Sequence, residues 1–125
     1  MFTGIVSGIG RIVDVQALED RGAEIALLPN ATGKVDLAAM LADLARRGVN
    51  ELHAEAGEKL NGSLLAAGLV DELLVYVAPR LVGSGRGLAA LAPIARLEEA
   101  LGFEFTSIER VGMDLRLLLR PSPPA

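Results

Sequence analysis

The run VNELHAEAGEKLNGSLLAAGLVDELLVYVA, residues 49–78, passes through three hydrophobic periods in succession. Residues 49–56 alternate apolar and polar positions and end at Gly57, the pattern of a strand entering a tight turn. Between Gly57 and Gly68, Leu60, Leu64 and Leu65 fall at helical spacing, with Gly62 inside and Gly68 where a helix C-terminus places glycine. Residues 71–78 (DELLVYVA) are almost continuously apolar and predict a second, buried strand. A strand feeding a glycine turn that opens a helix can cradle phosphate, because the first helical amides lack an acceptor and glycine lets an anion reach the backbone. Many such turns use glycine only to bend, so spacing alone leaves both readings open.

At 125 residues the chain has enough material for one domain with a core and too little for two ordinary ones. The hydrophobic fraction is 51% and mean hydropathy is +0.42, yet no uninterrupted apolar run approaches the roughly 18 residues of a membrane span. Leucine, alanine and valine supply that hydrophobicity. With three phenylalanines, one tyrosine and no tryptophan, the composition suits an α/β interior and is poor for stacking bases. A net charge of -4 provides no basic field for nucleic acid or an anionic membrane, so local groups must hold any anionic ligand. The absence of cysteine removes disulfides, thiolate zinc sites and cysteine nucleophiles. His53 is the only histidine, which excludes a multi-histidine metal site. No signal-peptide pattern opens the sequence, and the expected location is the cytoplasm.

Residues 1–15 (MFTGIVSGIGRIVDV) are rich in β-branched residues broken by glycine and predict a bent strand. Residues 16–22 read as a polar linker, and 23–28 as a short strand closed by Pro29 and Asn30. Asp36 is placed to cap a helix over 37–47, whose apolar face is Leu37, Met40, Leu41 and Leu44. Gly33-Lys34 lacks the upstream glycine and the following Ser/Thr of a P-loop, which leaves Lys34 a surface residue. Residues 79–88 (PRLVGSGRGL) form a glycine-rich loop carrying Arg80 and Arg86, either a cover over an anionic ligand or an ordinary crossover. A short helix is expected over 95–100. Residues 103–111 and 114–120 then predict a hairpin turning at Gly112-Met113, with Phe103, Phe105, Ser107 and Glu109 on one face.

Glu55 stands at a strand end just before the helix turn, where α/β proteins bind ligands, although an alternating strand more often carries such a residue as a solvated carboxylate. His53 has no accompanying Ser, Cys or Asp at triad spacing and reads as a half-exposed strand residue.

Two resemblances add to this reading. Met1, Phe2, Thr3, Gly4, Ile5, Val6, Gly8, Gly10 and Val13 resemble the opening of riboflavin synthase, which implies lumazine contacts around Gly4, Ile5 and Val6. From residue 23 to 120 the chain resembles the C-terminal part of the reductase domain of the bifunctional riboflavin-biosynthesis deaminase/reductase. The matching runs are LLPNATGKVDLAAMLADLARRGVNELHAEAG, LNGSLLAAGLVDELLVYVAPRLVG and RVGMDLRLLLRP. That resemblance implies a partial dihydrofolate-reductase-like fold, an α/β mixed sheet flanked by helices and ending in a β-hairpin. It also implies NADPH-dependent reduction of 5-amino-6-(5-phosphoribosylamino)uracil. By the family motif Glu55 would contact this phosphorylated pyrimidine; Arg86 is the further substrate candidate, as a phosphate fork, from the loop reading above. Gly57, Glu58, Lys59, Leu60, Asn61, Gly62 and Ser63 would line the NADPH phosphates.

The family's upstream reductase strands and its zinc deaminase half have no counterpart in this sequence, and the 83–88 loop is one residue short of the family pattern. The expected organisation is therefore a synthase-like opening and linker, 1–22, followed by a partial reductase domain, 23–125. Three functions follow: a reductase domain, incomplete here; a non-catalytic assembly module needing a partner; or a lumazine-binding fragment. An unpaired sheet edge further predicts a homodimer or larger homo-oligomer.

Overall fold

The computed structural model describes residues 15–122. The strand expected over 1–15 and the lumazine contacts at Gly4, Ile5 and Val6 lie outside the described residues, apart from Val15. The chain divides into two compact units, Met1–Gly57 and Glu58–Ala125.

In the first unit, Val15–Glu19 forms a short helix, α1, where a linker is expected. Gln, Ala, Leu and Glu are good helix formers, and Gln16 Nε2 donates to Asp20 Oδ1 at 2.9 Å, one turn on. Residues 23–28 have no sheet partner among the described residues, and Pro29 and Val35 form an isolated bridge. The intervening NATGK is an Asx turn. Asn30 Oδ1 accepts from the Thr32 amide at 2.9 Å, the Lys34 amide at 3.0 Å and the Thr32 hydroxyl at 2.9 Å.

Helix α2, Leu37–Arg46, begins as its sequence predicts: Asp36 Oδ1 accepts from the Ala39 amide at 2.9 Å. Leu37, Met40, Leu41 and Leu44 are half-buried while Ala38, Ala42 and Ala45 face water. At its C-terminal end Asp43 pairs with Arg46 at 2.9 Å and Arg47 at 2.6 Å. Glu24 also meets Arg47 at 2.6 Å, and the Glu24 and Asp43 carboxylates together hold this guanidinium above its usual pKa.

The second unit opens with α3, Glu58–Ala66, which carries the buried Gly62 and Leu64. Leu64, 8% exposed, is the core hydrophobe among the described residues, so the apolar interior is small. Three strands follow: β1, Leu73–Val77; β2, Phe103–Val111; and β3, Asp114–Pro121. They form one antiparallel sheet in the order β1-β3-β2. Residues 95–100, expected as a helix, contain a single 3-10 turn, Leu97–Glu99. The hairpin turn has Gly112 at φ +63° and no positive φ at Met113, the arrangement in which glycine must take the first central position.

The β2–β3 register corrects one expectation. Phe105 faces Leu119 and Ser107 faces Leu118, leaving Thr106 as an extra residue in a bulge. Residues directly opposite share a sheet face. Phe103, Phe105 and Ile108 therefore lie on one face with Leu117, Leu119, Leu73 and Val75. Ser107 and Glu109 lie on the other, where Glu109 meets Arg116 at 3.3 Å. Unbroken alternation predicts all four β2 residues on one face, and the bulge at Thr106 separates them.

Candidate functional site

Residues 49–57 belong to no sheet ladder among the described residues, although the expected alternation is present in their exposure. Leu52, Ala54 and Ala56 are half-buried, whereas Glu51, His53 and Glu55 are exposed. Alternating side chains put residues i and i+2 on one side. His53 Nε2 accordingly lies 3.3 Å from Glu55 Oε1, with both side chains open to solvent. The period of two in HAE is the sequence signal of this pair, which triad spacing with Ser, Cys or Asp does not contain.

Gly57 follows immediately and α3 starts at Glu58. A Cβ built on Gly57 would meet nothing within 4 Å, so the backbone here is open to an approaching group. By helix geometry the amides of Glu58, Lys59 and Leu60 have no intrahelical acceptor. Lys59 is exposed and adds a cation, while the half-buried Glu58 puts a carboxylate in the same first turn. An anion at this terminus gains from the amides, the helix dipole and Lys59, and is opposed by Glu58.

The rest of the motif is engaged within the second unit. Asn61 Nδ2 donates to the Leu88 carbonyl at 3.0 Å. Gly62 lies so close to Ala90 that a Cβ would overlap the Ala90 carbonyl. Ser63 Oγ donates to the Lys59 carbonyl at 2.9 Å, one helical turn back. Arg86 lies exposed in the loop leading to Leu88, and no carboxylate among the described residues pairs with it. The structure thus brings Asn61 and Gly62 against the segment after Arg86. Glu55 and Gly57 belong to the first unit, and the remaining site residues to the second.

A cavity of about 620 Å³ in the second unit is lined by Leu65, Leu73, Leu88, Leu91, Ile94 and Phe103 among others. Its one carboxylate, Glu99, accepts from the Ala95 amide and from Arg96 Nε, each at 3.1 Å. Those bonds hold the Glu99 carboxyl below its ordinary pKa. No group of three or more metal-ligating side chains exists among the described residues, and no helix among them is long and apolar enough to cross a membrane.

The chain has relatives among known proteins. The RibD C-terminal domain family matches residues 11–117. The riboflavin biosynthesis protein RibD of Escherichia coli K12 is 45% identical over 94 residues, covering 74% of this chain and 26% of that protein. The 5-amino-6-(5-phosphoribosylamino)uracil reductase of Buchnera aphidicola (Acyrthosiphon pisum) is 34% identical over 89 residues, 70% of this chain and 43% of its own length. Among solved structures, Acinetobacter baumannii RibD superimposes with a TM-score of 0.73 at 29% identity, over 95% of this chain and 31% of that one. The chain thus spans about a quarter of the length of the first RibD relatives it matches. Its α/β architecture is that of their dihydrofolate-reductase-like reductase domains. These matches lend no support to the riboflavin-synthase resemblance of residues 1–15. Matched along most of its length, the chain belongs to the RibD C-terminal domain family.

Proposed function

We propose that this chain is the ligand-binding portion of a reductase of riboflavin biosynthesis, of the type that reduces 5-amino-6-(5-phosphoribosylamino)uracil with NADPH. The observation that carries the reading is the family match over residues 11–117, joined by a relative named for that reductase activity. In this reading residues 23–125 are the C-terminal part of a reductase domain, residues 1–22 are an opening and linker, and the protein works in the cytoplasm.

The open backbone at Gly57 and the amides after it, which lack an intrahelical acceptor, fit a phosphate of NADPH, a cofactor that supplies a hydride when bound. The segment from Gly57 through Glu58, Lys59, Leu60, Asn61, Gly62 and Ser63 lines that group through its backbone. Glu55 accepts hydrogen bonds from the pyrimidine substrate, and Arg86 takes its phosphate. A homodimer is part of the proposal. Phe105 is 58% and Ile108 60% exposed on the apolar sheet face, and β1 and β2 are the sheet's edges among the described residues.

The test is a fluorescence titration of NADPH against the wild-type chain and Gly57→Val. Weak saturable binding that the substitution abolishes supports the reading. Binding unchanged by the valine rules out the turn as the phosphate site.

A further inference from the structure

Three contacts converge where the glycine-rich loop ends. Asn61 Nδ2 donates to the Leu88 carbonyl at 3.0 Å, the Ala90 amide donates to the Glu58 carbonyl at 2.8 Å, and the Ala90 carbonyl lies against the bare Cα of Gly62. One hydrogen bond comes from a side chain, one from the backbone, and the third contact exists only because residue 62 has no Cβ. Together they strap residues 88–90 onto the first turns of α3. Arg86 sits two residues before the strap, so its Cα stays within about 7 Å of the Leu88 Cα.

We propose that Asn61 and Gly62 are positioning residues that hold the Leu88–Ala90 strap on α3 and thereby present Arg86 to the phosphate of a phosphorylated ribose ligand. This rests on the reading of Arg86 given above. Without the strap the far end of the 79–88 loop is held only by apolar contacts around Leu88 and by the chain running on to β2, and Arg86 must lose more conformational freedom on meeting the phosphate. The strap makes that restriction before binding.

Two variants attack the strap by different physics. Asn61→Ala removes the donor to Leu88. Gly62→Ala adds a methyl that forces Ala90 away while improving helix propensity, so α3 is retained. Amide hydrogen exchange should show Ala90 exchanging about tenfold faster in both, with Ser107 and Leu117 in the β2–β3 ladder unchanged. Calorimetric titration with ribose 5-phosphate should show about tenfold weaker binding for Asn61→Ala and for Arg86→Ala, and no further loss in the double variant.

Unaltered Ala90 exchange in both strap variants overturns the proposal. So does an Arg86→Ala loss that Asn61→Ala fails to reproduce, in which case the assignment of Arg86 to the phosphate survives. Ribose 5-phosphate binding that is absent, or indifferent to Arg86→Ala, removes that assignment and the proposal with it. Additive losses in the double variant show that Asn61 acts by another route and also overturn it.

Discussion

The Thr106 hydroxyl donates to the Leu118 carbonyl at 3.1 Å, at the point where the β2–β3 ladder slips by one residue. The hairpin turn pins residues 107–111, so the extra residue determines where the strand's first half points. With Thr106 present, the half-buried Phe103 lies on the same face as Ile108 and Leu117. Deleting Thr106 should send Phe103 and Phe105 to the polar face, costing roughly 1.5–3 kcal/mol for the lost burial of one large side chain. Thr106→Val should lose only its hydrogen bond, about 1 kcal/mol. Urea denaturation separates the two. A deletion variant as stable as the wild type contradicts this register.

Asp36 is the clearest local determinant in the first unit. Its carboxylate satisfies the Ala39 amide at 2.9 Å. Asp36→Ala should destabilise α2 by about 1 kcal/mol, and Asp36→Ser should restore most of that. Circular dichroism during thermal unfolding reports it. Equal melting of the alanine and wild-type chains would show that the cap carries no stability.

These two sites show what the sequence made legible. Signals contained within one turn were readable: the cap at Asp36, the apolar face of α2, and the Gly112-Met113 hairpin with strands at Phe103–Val111 and Asp114–Pro121. Residues 49–56 show the alternation of a strand, but a strand also needs a neighbour to exchange hydrogen bonds with, and none pairs with them among the described residues. The Thr106 bulge is a property of two strands jointly and leaves no mark in either alone. The contact of Asn61 with Leu88 joins positions 27 apart and has no periodic signature at all. Hence the candidate residues were readable as a motif, whereas the division of labour inside it was not.

Glu99 provides a pH test. The Ala95 amide and, next, Arg96 hold its carboxyl below the ordinary value of 4.5. A depressed carboxyl contributes order above its ordinary pKa and loses it as pH falls through the lower folded value. The 3-10 turn should therefore be indifferent between pH 7 and 5 and loosen only below about 4.5. The Ala95 amide shift should report the transition, and Glu99→Gln should remove it. A midpoint at or above the ordinary value is incompatible with these bonds.

The last prediction concerns Glu55 and turnover. Its carboxylate is exposed, in contact with His53 at 3.3 Å, and free to accept from a ligand on its remaining sides. As a substrate contact it makes charge-assisted bonds, so Glu55→Gln should weaken binding of the pyrimidine substrate by roughly tenfold. NADPH binding, assigned to the backbone after Gly57, should be unchanged. Hydride transfer further requires nicotinamide and substrate to be held in near-attack geometry, a positioning effect of roughly 7–11 kcal/mol. In this reading that positioning falls to Glu55, the Gly57 turn and Arg86 alone. The purified 125-residue chain should therefore bind both ligands more readily than it turns them over. NADPH oxidation followed at equal concentrations of chain and deaminated substrate would detect even a single turnover. Sustained multiple turnover would show that Glu55, the Gly57 turn and Arg86 suffice for positioning, against this reading. An effect of Glu55→Gln confined to NADPH would place Glu55 on the cofactor instead.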